Sequence, residues 1–406
     1  MKIMVLTMFY PENNCYNKAG NTKVVHYFTR QWEMEGNEVT VFHIKINPLK
    51  NIFSNIYNKA KLIFKNVEMV DNNQGVSVLK IESQLLKPKS RKLLNFQQKK
   101  IARKINMHVS NKSMGDFDVI VVHFPMYMRG IVERIQLKCA KVATLHITDQ
   151  HTLELLKNQT ERKKFLSIYD GIGFRSKIIQ ENCLKLVNLK QKKFIIYSGI
   201  PEKYLINKEK LMLKLKENGT PIKIIYVGQM IRRKKVYEII SALGIIKDDF
   251  DYKFTIVGNG KELQRCKKAV IQYSLSKRVN FLGKLSRENV FNAMRNSDIF
   301  IMISEKETFG LVYLEAMASG CIVIASKNEG IDGVIMDGYN GFLIPAGDEV
   351  ALAKILLKVN NMSNEERRQI KINAYETANK MTDKRMAQIY LENIKKVINT
   401  KDNYNM

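Results

Sequence analysis

The chain has 406 residues, 45% of them hydrophobic and 9% aromatic. That is ordinary for a globular protein and too long for one ordinary core, so two domains are expected. Five scattered cysteines (Cys15, Cys139, Cys183, Cys266, Cys321) with no C-x-x-C spacing speak against a disulfide or zinc scaffold and for a reducing, cytoplasmic setting. The formal charge of +28 raises the question of an anionic partner; with no nucleic-acid motif and no basic run interleaved with stacking aromatics, nucleic acid is not the expected one.

In chain order, Ile3–Tyr10 (IMVLTMFY) reads as a first strand. Its apolar run is too short for a signal peptide, and no run of about 18 apolar residues predicts a spanning helix. The loop PENNCYNKAGN, a helix over 22–35 closed by Gly36, and a strand over Glu38–Ile44 make a Rossmann-like β-α-β start. It lacks G-x-G-x-x-G, so no dinucleotide cofactor is indicated. Residues 45–80 read as irregular and lysine-rich. Lys87–Lys104 carries eight basic residues and no acidic one, with Leu93, Leu94, Gln97, Ile101 and Ile105 near one helical face. Such a basic amphipathic helix suits an anionic membrane surface and equally suits packing on its own domain. Strands over Asp118–Phe124 and Lys141–Ile147, with a helix between, lead to closing strands within Tyr169–Ser176 and Lys192–Gly199. The polar stretch Ile200–Pro221 should hold the linker.

The pattern restarts with a strand at Ile222–Gly228, a helix at Val236–Leu243 and a strand at Tyr252–Gly258. A helix at Leu263–Tyr273, a strand at Val279–Gly283 and a helix at Arg287–Arg295 follow, with Arg287 and Glu288 assigned to that helix's N-terminus. After a short strand within Ile335–Asp348, two helices over about Val350–Asn360 and Asn364–Ile398 end the chain.

The most informative stretch is Ile299–Ala325, IFIMISEKETFGLVYLEAMASGCIVIA. An apolar, β-branched strand buried on both faces runs into a polar loop, an amphipathic helix stopped by Gly320, and a second buried strand. Such a unit opens its loop at the C-terminal edge of a parallel sheet, where these folds bind ligands. A helix starting near Phe309 or Gly310 presents backbone N–H groups suited to phosphate. Gly310 permits close backbone approach. Glu315, a turn and a half further in, can accept two ribose hydroxyls. Taken alone, exposed glutamates on a helix are commonplace.

The run E-T-F-G-L-x-x-L-E-A-M-A-x-G, with Glu307 and Glu315 as an E-x7-E pair, resembles the signature of retaining glycosyltransferases of the GT-B fold, family GT4. The resemblance is strong over 222–348, fair over 2–43 and 118–199, and weak over 45–115. It implies an α/β protein of two Rossmann-like domains facing each other across a cleft. These would be an acceptor-binding domain over 1–205 and a nucleotide-sugar-binding domain over 218–382, with a C-terminal helix (383–406) crossing back to the first. The implied activity is metal-independent, retaining transfer of a sugar from a nucleoside-diphosphate sugar to a glycan or lipid-linked acceptor in surface polysaccharide biosynthesis. The basic 87–104 region would then touch the inner face of the membrane. A nucleotide-sugar epimerase or hydrolase of the same fold, or a non-catalytic nucleotide-binding partner subunit, is the alternative.

The resemblance also implies site residues. Catalytic roles fall to Glu307, as a contact to the transferred sugar or its phosphate, to Lys234 in VGQMIRRKK, and to His146 in VATLHITDQH. Phe309, Gly310, Leu311 and Glu315 are implied donor contacts. Gln229 stands where the family usually has Arg, and Arg232 or Arg233 can compensate. Gly258 and Gly260 would let backbone approach the donor, and Phe281, Leu282 and Gly283 would offer backbone hydrogen bonds to the base. In the first loop, Ala19-Gly20 replaces the family's glycine pair, leaving Gly20 to serve the diphosphate. His123 matches a family histidine of less defined role. His123, His146 and His151 do not have metal-site spacing, so no metal or cofactor is expected beyond the nucleotide sugar.

Overall fold

The computed structural model describes residues 1–11, 23–48, 68–71, 76–85, 91–111, 116–216 and 220–404. The chain divides into two compact units: residues 1–175, 179–196 and 386–406 form the first, and 176–178 and 197–385 the second. The boundary at Ile196/Tyr197 lies ahead of the polar stretch expected to hold the linker. Lys208–Lys216 is instead a helix that buries Leu211 and Leu215 in the second unit. Their i,i+4 spacing gives it an apolar stripe among its lysines.

The first unit has an eight-stranded sheet in the order β3-β4-β2-β1-β5-β6-β7-β8. Its strands are β1 (Lys2–Thr7), β2 (Glu38–Pro48), β3 (Glu68–Asp71), β4 (Ser77–Leu85), β5 (Val119–His123), β6 (Ala140–Leu145), β7 (Gly171–Phe174) and β8 (Lys192–Ile195). All pair in parallel except β3, which is antiparallel to β4. Ile3–Leu6 and Val119–Val122 are wholly buried, as strands covered on both faces must be. Where the sequence reads as irregular, over 45–80, the structure has the end of β2, all of β3 and the start of β4. Val78, Leu79 and Ile81 are the buried residues that hold β4 in place, and the intervening Lys80 masks their pattern.

The helix Arg91–Asn111 buries Ile101, Ala102 and Ile105 in this unit's core. Its outer face exposes Lys99 and Arg103 together with Phe96 (53% exposed) and Met107 (56%). The C-terminal run, expected as one helix from Asn364, is two: Asn364–Lys380 and Asp383–Tyr404. Between them Thr382 bridges to Ile200, and Asp383 N–H donates to the Ile200 carbonyl at 2.9 Å. From Met386 onward the last helix belongs to the first unit, where Tyr390 packs edge-on to Trp32 and Phe28.

The second unit has a fully parallel six-stranded sheet in the order β11-β10-β9-β12-β13-β14. These are β9 (Ile222–Val227), β10 (Tyr252–Val257), β11 (Val279–Gly283), β12 (Ile299–Met302), β13 (Ile322–Ser326) and β14 (Phe342–Ile344). Strand order reverses between β9 and β12, which are direct neighbours (Ile224 opposite Ile299). Loops leaving two such strands diverge and leave a crevice at their C-terminal ends.

Candidate functional site

The loops after β9 and β12 supply the crevice's charged side chains. Arg232–Lys234 forms a single 3-10 turn after β9. Lys234 Nζ contacts the Glu307 carboxylate, and Arg233 Nη1 donates to the same oxygen at 3.1 Å. Glu305 N–H donates to the Arg233 carbonyl at 2.8 Å, and Lys235 Nζ lies 2.6 Å from Glu305 Oε1. The two loops are thus stitched together by backbone and charge. Lys234 is 11% exposed; burial lowers its pKa, and the Glu307 charge opposes that shift. Glu329, after β13, accepts from the backbone N–H groups of Lys306 (2.9 Å) and Glu307 (2.7 Å) and so fixes the carboxylate-bearing loop. Burial raises the Glu329 pKa, partly opposed by those two donors.

Gly310 caps the helix Leu311–Ala318 with φ +80°, a left-handed conformation that disfavours a side chain. Phe309 is 3% exposed and packs near Tyr197, so its ring contributes packing. Leu311 opens the helix, and Glu315, its side chain 4% exposed, receives the guanidinium of Arg287. Gln229 has an exposed side chain, and its carbonyl accepts from the Tyr226 hydroxyl at 2.9 Å. Arg233, 42% exposed, brings positive charge to Glu307 from the same loop.

Gly258 and Gly260 have a structural reason of their own beside the expected one. A Cβ at Gly258 would lie 1.8 Å from the Gly228 carbonyl oxygen, and one at Gly260 would lie 2.2 Å from that of Met230. Both glycines therefore let the loop after β10 cross the loop after β9. Leu282, at the end of β11, is 40% exposed. Gly20, like Ala19, lies outside the described residues.

In the first unit, β5, β6 and β7 place His123, His146 and Arg175 at their C-terminal ends. His123 Nδ1 and His146 Nε2 are 3.3 Å apart. The His146 ring stacks on Phe124 with centroids 3.8 Å apart. Phe124 itself has φ +60°, an unusual conformation for a bulky residue and one found at ligand sites. His146 precedes the helix Ile147–Leu155, and its N–H donates to Asp149 Oδ2 at 2.8 Å. Burial, then the nearby His123 and Arg175, hold His146 well below its ordinary pKa. Burial first and Arg175 second bring His123 down to about 3. Both rings are therefore neutral at physiological pH. His151 pairs with Glu154 at 3.1 Å in an exposed position. Among the described residues no cluster of His, Cys, Asp or Glu could hold a metal ion, and no helix is long and apolar enough to cross a membrane.

Sequence reasoning did not single out Arg287 and Glu329 as site residues. Arg287 reads as the first residue of a helix, and its partner stands 28 positions away. Glu329 carried a weak signal, an acidic residue at the exit of a buried strand.

Two α/β units with mainly parallel sheets, the second carrying this cluster at its strand-order reversal, are the architecture of the GT-B class. Sucrose-phosphate synthase from Thermosynechococcus elongatus superposes with a TM-score of 0.72 at 18% identity, over 98% of this chain and 99% of that one. Anabaena HepE, solved in complex with UDP, gives 0.68 at 17%, over 98% and 100%. Residues 207–377 match the family described as Glycosyl transferases group 1. The N-acetyl-alpha-D-glucosaminyl L-malate synthase of Bacillus anthracis is 30% identical over 250 residues, 59% of this chain and 64% of its own length. The first curated relatives are thus matched over 64–66% of their lengths, just under two thirds. Residues 207–377 thus form a group 1 glycosyltransferase domain, within a chain of the GT-B fold.

Proposed function

We propose that this protein moves a sugar from a nucleoside-diphosphate sugar to a glycan or lipid-linked acceptor, with retention of anomeric configuration, in the building of a surface polysaccharide. The observation that carries the reading is the convergence of Arg233, Lys234 and Glu307 beside the N-terminus of Leu311–Ala318, with Glu315 further along the same helix. Bound UDP in HepE, a protein of the same fold, supports a nucleotide at this class of site.

The chemistry asks mainly for charge stabilisation. As the bond from the anomeric carbon to the diphosphate oxygen breaks, the diphosphate gains negative charge, and preorganised donors lower the barrier. Lys234, Arg233 and the amides at Leu311 fill that role without a metal ion. Glu307 engages the transferred sugar and Glu315 the ribose. The acceptor oxygen attacks from the face the diphosphate leaves, and its proton passes to the departing phosphate oxygen, which dispenses with a carboxylate nucleophile. Neutral His146 serves as a hydrogen-bonding contact to the sugar. The basic, partly apolar outer face of Arg91–Asn111 supports contact with an anionic, cytoplasmic membrane surface.

The test is incubation of the pure protein with UDP-, GDP- and ADP-sugars without acceptor, measuring binding and slow nucleotide release. One sugar nucleotide that binds and slowly sheds its diphosphate supports the reading. Conversion to another nucleotide sugar would replace it with an epimerase. Gln229 in the family's Arg position favours a second reading, a non-catalytic nucleotide-binding subunit, which predicts binding with no release under any acceptor. The Arg233–Glu307 contact weighs against that reading.

A further inference from the structure

Glu315 is the carboxylate that the proposed donor site offers the ribose, and it is almost wholly buried. An ionised carboxylate at that depth is costly unless a cation accompanies it. Arg287 supplies the cation from the first turn of the helix Arg287–Arg295, which is capped by Ser286. A positive charge in a first turn works against the helix dipole, so this helix does not by itself account for it. The guanidinium centre lies 5.0 Å from the Tyr204 ring and 5.1 Å from the Phe291 ring, and those rings are 4.3 Å apart. Tyr204 comes from the 3-10 turn Glu202–Tyr204, and Phe291 is one helical turn beyond Arg287. Two aromatic faces from separate segments thus hold a planar cation against a buried carboxylate. Burial pulls the Arg287 pKa down, and Glu315 and Tyr204 more than offset it.

We propose that Arg287 is the positioning residue of the donor site: held by Tyr204 and Phe291, it keeps Glu315 ionised and fixes its plane, so that the carboxylate can accept both hydroxyls of a nucleotide ribose. The proposal rests on the donor-site reading above. It explains why a helix whose first turn is exposed begins with an arginine. A carboxylate has about four lone-pair directions, so one guanidinium N–H and two hydroxyls can share it. Lysine would keep the charge without the planar fork.

The test compares wild type, Arg287→Met, Arg287→Lys and Glu315→Gln for binding of UDP, GDP, ADP and their 2′-deoxy forms, by calorimetry from about pH 6 to 8.5. Wild type is expected to bind one of the three with a flat pH profile and to prefer the ribose form roughly 10-fold. Arg287→Met should bind it roughly 10- to 100-fold more weakly near neutrality. Its affinity should rise with pH, because a buried carboxylate without its cation titrates in this range. Its preference for ribose over deoxyribose should shrink. Arg287→Lys should restore the flat profile with intermediate affinity. An Arg287→Met protein that keeps the wild-type ribose preference and pH profile overturns the proposal, even if it binds more weakly overall, because a merely structural arginine would do that. Wild type that binds none of the three refutes the donor site and this proposal together. A wrong assignment of Arg287 leaves wild-type binding intact, so the two failures are distinct.

Discussion

Replacing Gly310 by alanine isolates what the loop-to-helix junction demands. The residue sits at φ +80°, and an added Cβ would lie 2.6 Å and 2.7 Å from two ring carbons of Tyr313 and 3.3 Å from Glu307 Cγ. Tyr313 has no room to yield: it is wholly buried, its hydroxyl donates to the Met302 carbonyl at 2.8 Å, and it meets Phe300 edge-on. The left-handed backbone costs alanine about 1–2 kcal/mol. Displacing a packed ring adds about 1–3 kcal/mol. The expected loss is therefore about 2–5 kcal/mol, or roughly 4–20 °C in the melting of a unit this size. Gly338→Ala is the control, with φ +75° and nothing within 4 Å of its Cβ, so it should show the backbone cost alone. Calorimetry of both variants, with the second unit's transition resolved, gives the comparison. Equal losses in the two would refute the Tyr313 contact as the source of the excess. Gly310→Ala should also weaken nucleoside-diphosphate binding, because the backbone amides at Leu311 move with the junction.

Lys234→Met removes one of two cations on the Glu307 oxygen, and sugar release or transfer should fall by roughly 100-fold or more, with diphosphate binding weakened more than monophosphate binding. His123 gives a pH signature: the unfolded chain takes its proton below about pH 6.5 but the folded one only near 3, so stability drains as pH falls through that window, by about 2 kcal/mol at pH 5. Asp149, which burial raises to about 7, works in the opposite sense, losing stability as pH rises toward 7, so the wild-type minus His123→Asn difference in acid unfolding is the quantity to measure. Changing Lys99, Lys100 and Arg103 together to Gln should cost about 1 kcal/mol each in binding to anionic vesicles, measured by flotation at low salt; unchanged binding would remove the membrane role.

What the sequence disclosed depended on how local each signal was. The E-x7-E pair and the buried runs of β9, β12 and β13 lie in unbroken apolar or motif segments, so the second unit's fold and the loop carrying Glu307 were legible from Ile222 onward. β4 was not, because Lys80 and Glu82 interrupt its apolar residues and its register comes from β2 rather than from its own pattern. The break at Met381–Thr382 has no glycine or proline to announce it; the bridge to Ile200, far away in sequence, makes it. The Arg287–Glu315 pair was hidden for the same reason, since it exists only once two helices pack. Gly258 and Gly260 illustrate the converse: the glycine signal was visible in the sequence, but not that the protein's own backbone comes close there.

The charge balance at the donor site leads to a prediction opposite to the usual loss on mutation. Arg233, Lys234, Lys235 and Arg287 bring four positive charges, and Glu305, Glu307, Glu315 and Glu329 bring four carboxylates, so these groups cancel and leave Arg232 and Lys306 as the excess charge of the same two loops. A diphosphate reaching Lys234 and Arg233 must share them with Glu307, and it meets that carboxylate's negative charge as well. Glu307→Gln keeps the side chain's size, frees both cations and removes the repulsion. Bare nucleoside diphosphate should then bind more tightly, by roughly 10-fold if one close like-charge contact is relieved in partly buried surroundings. Sugar release and transfer should fall at the same time, because in the proposed function Glu307 engages the sugar. The assay is calorimetry with the diphosphate alone alongside turnover of the sugar nucleotide. Weaker diphosphate binding by Glu307→Gln would mean that Glu307 holds Lys234 in place for the phosphate rather than competing with it.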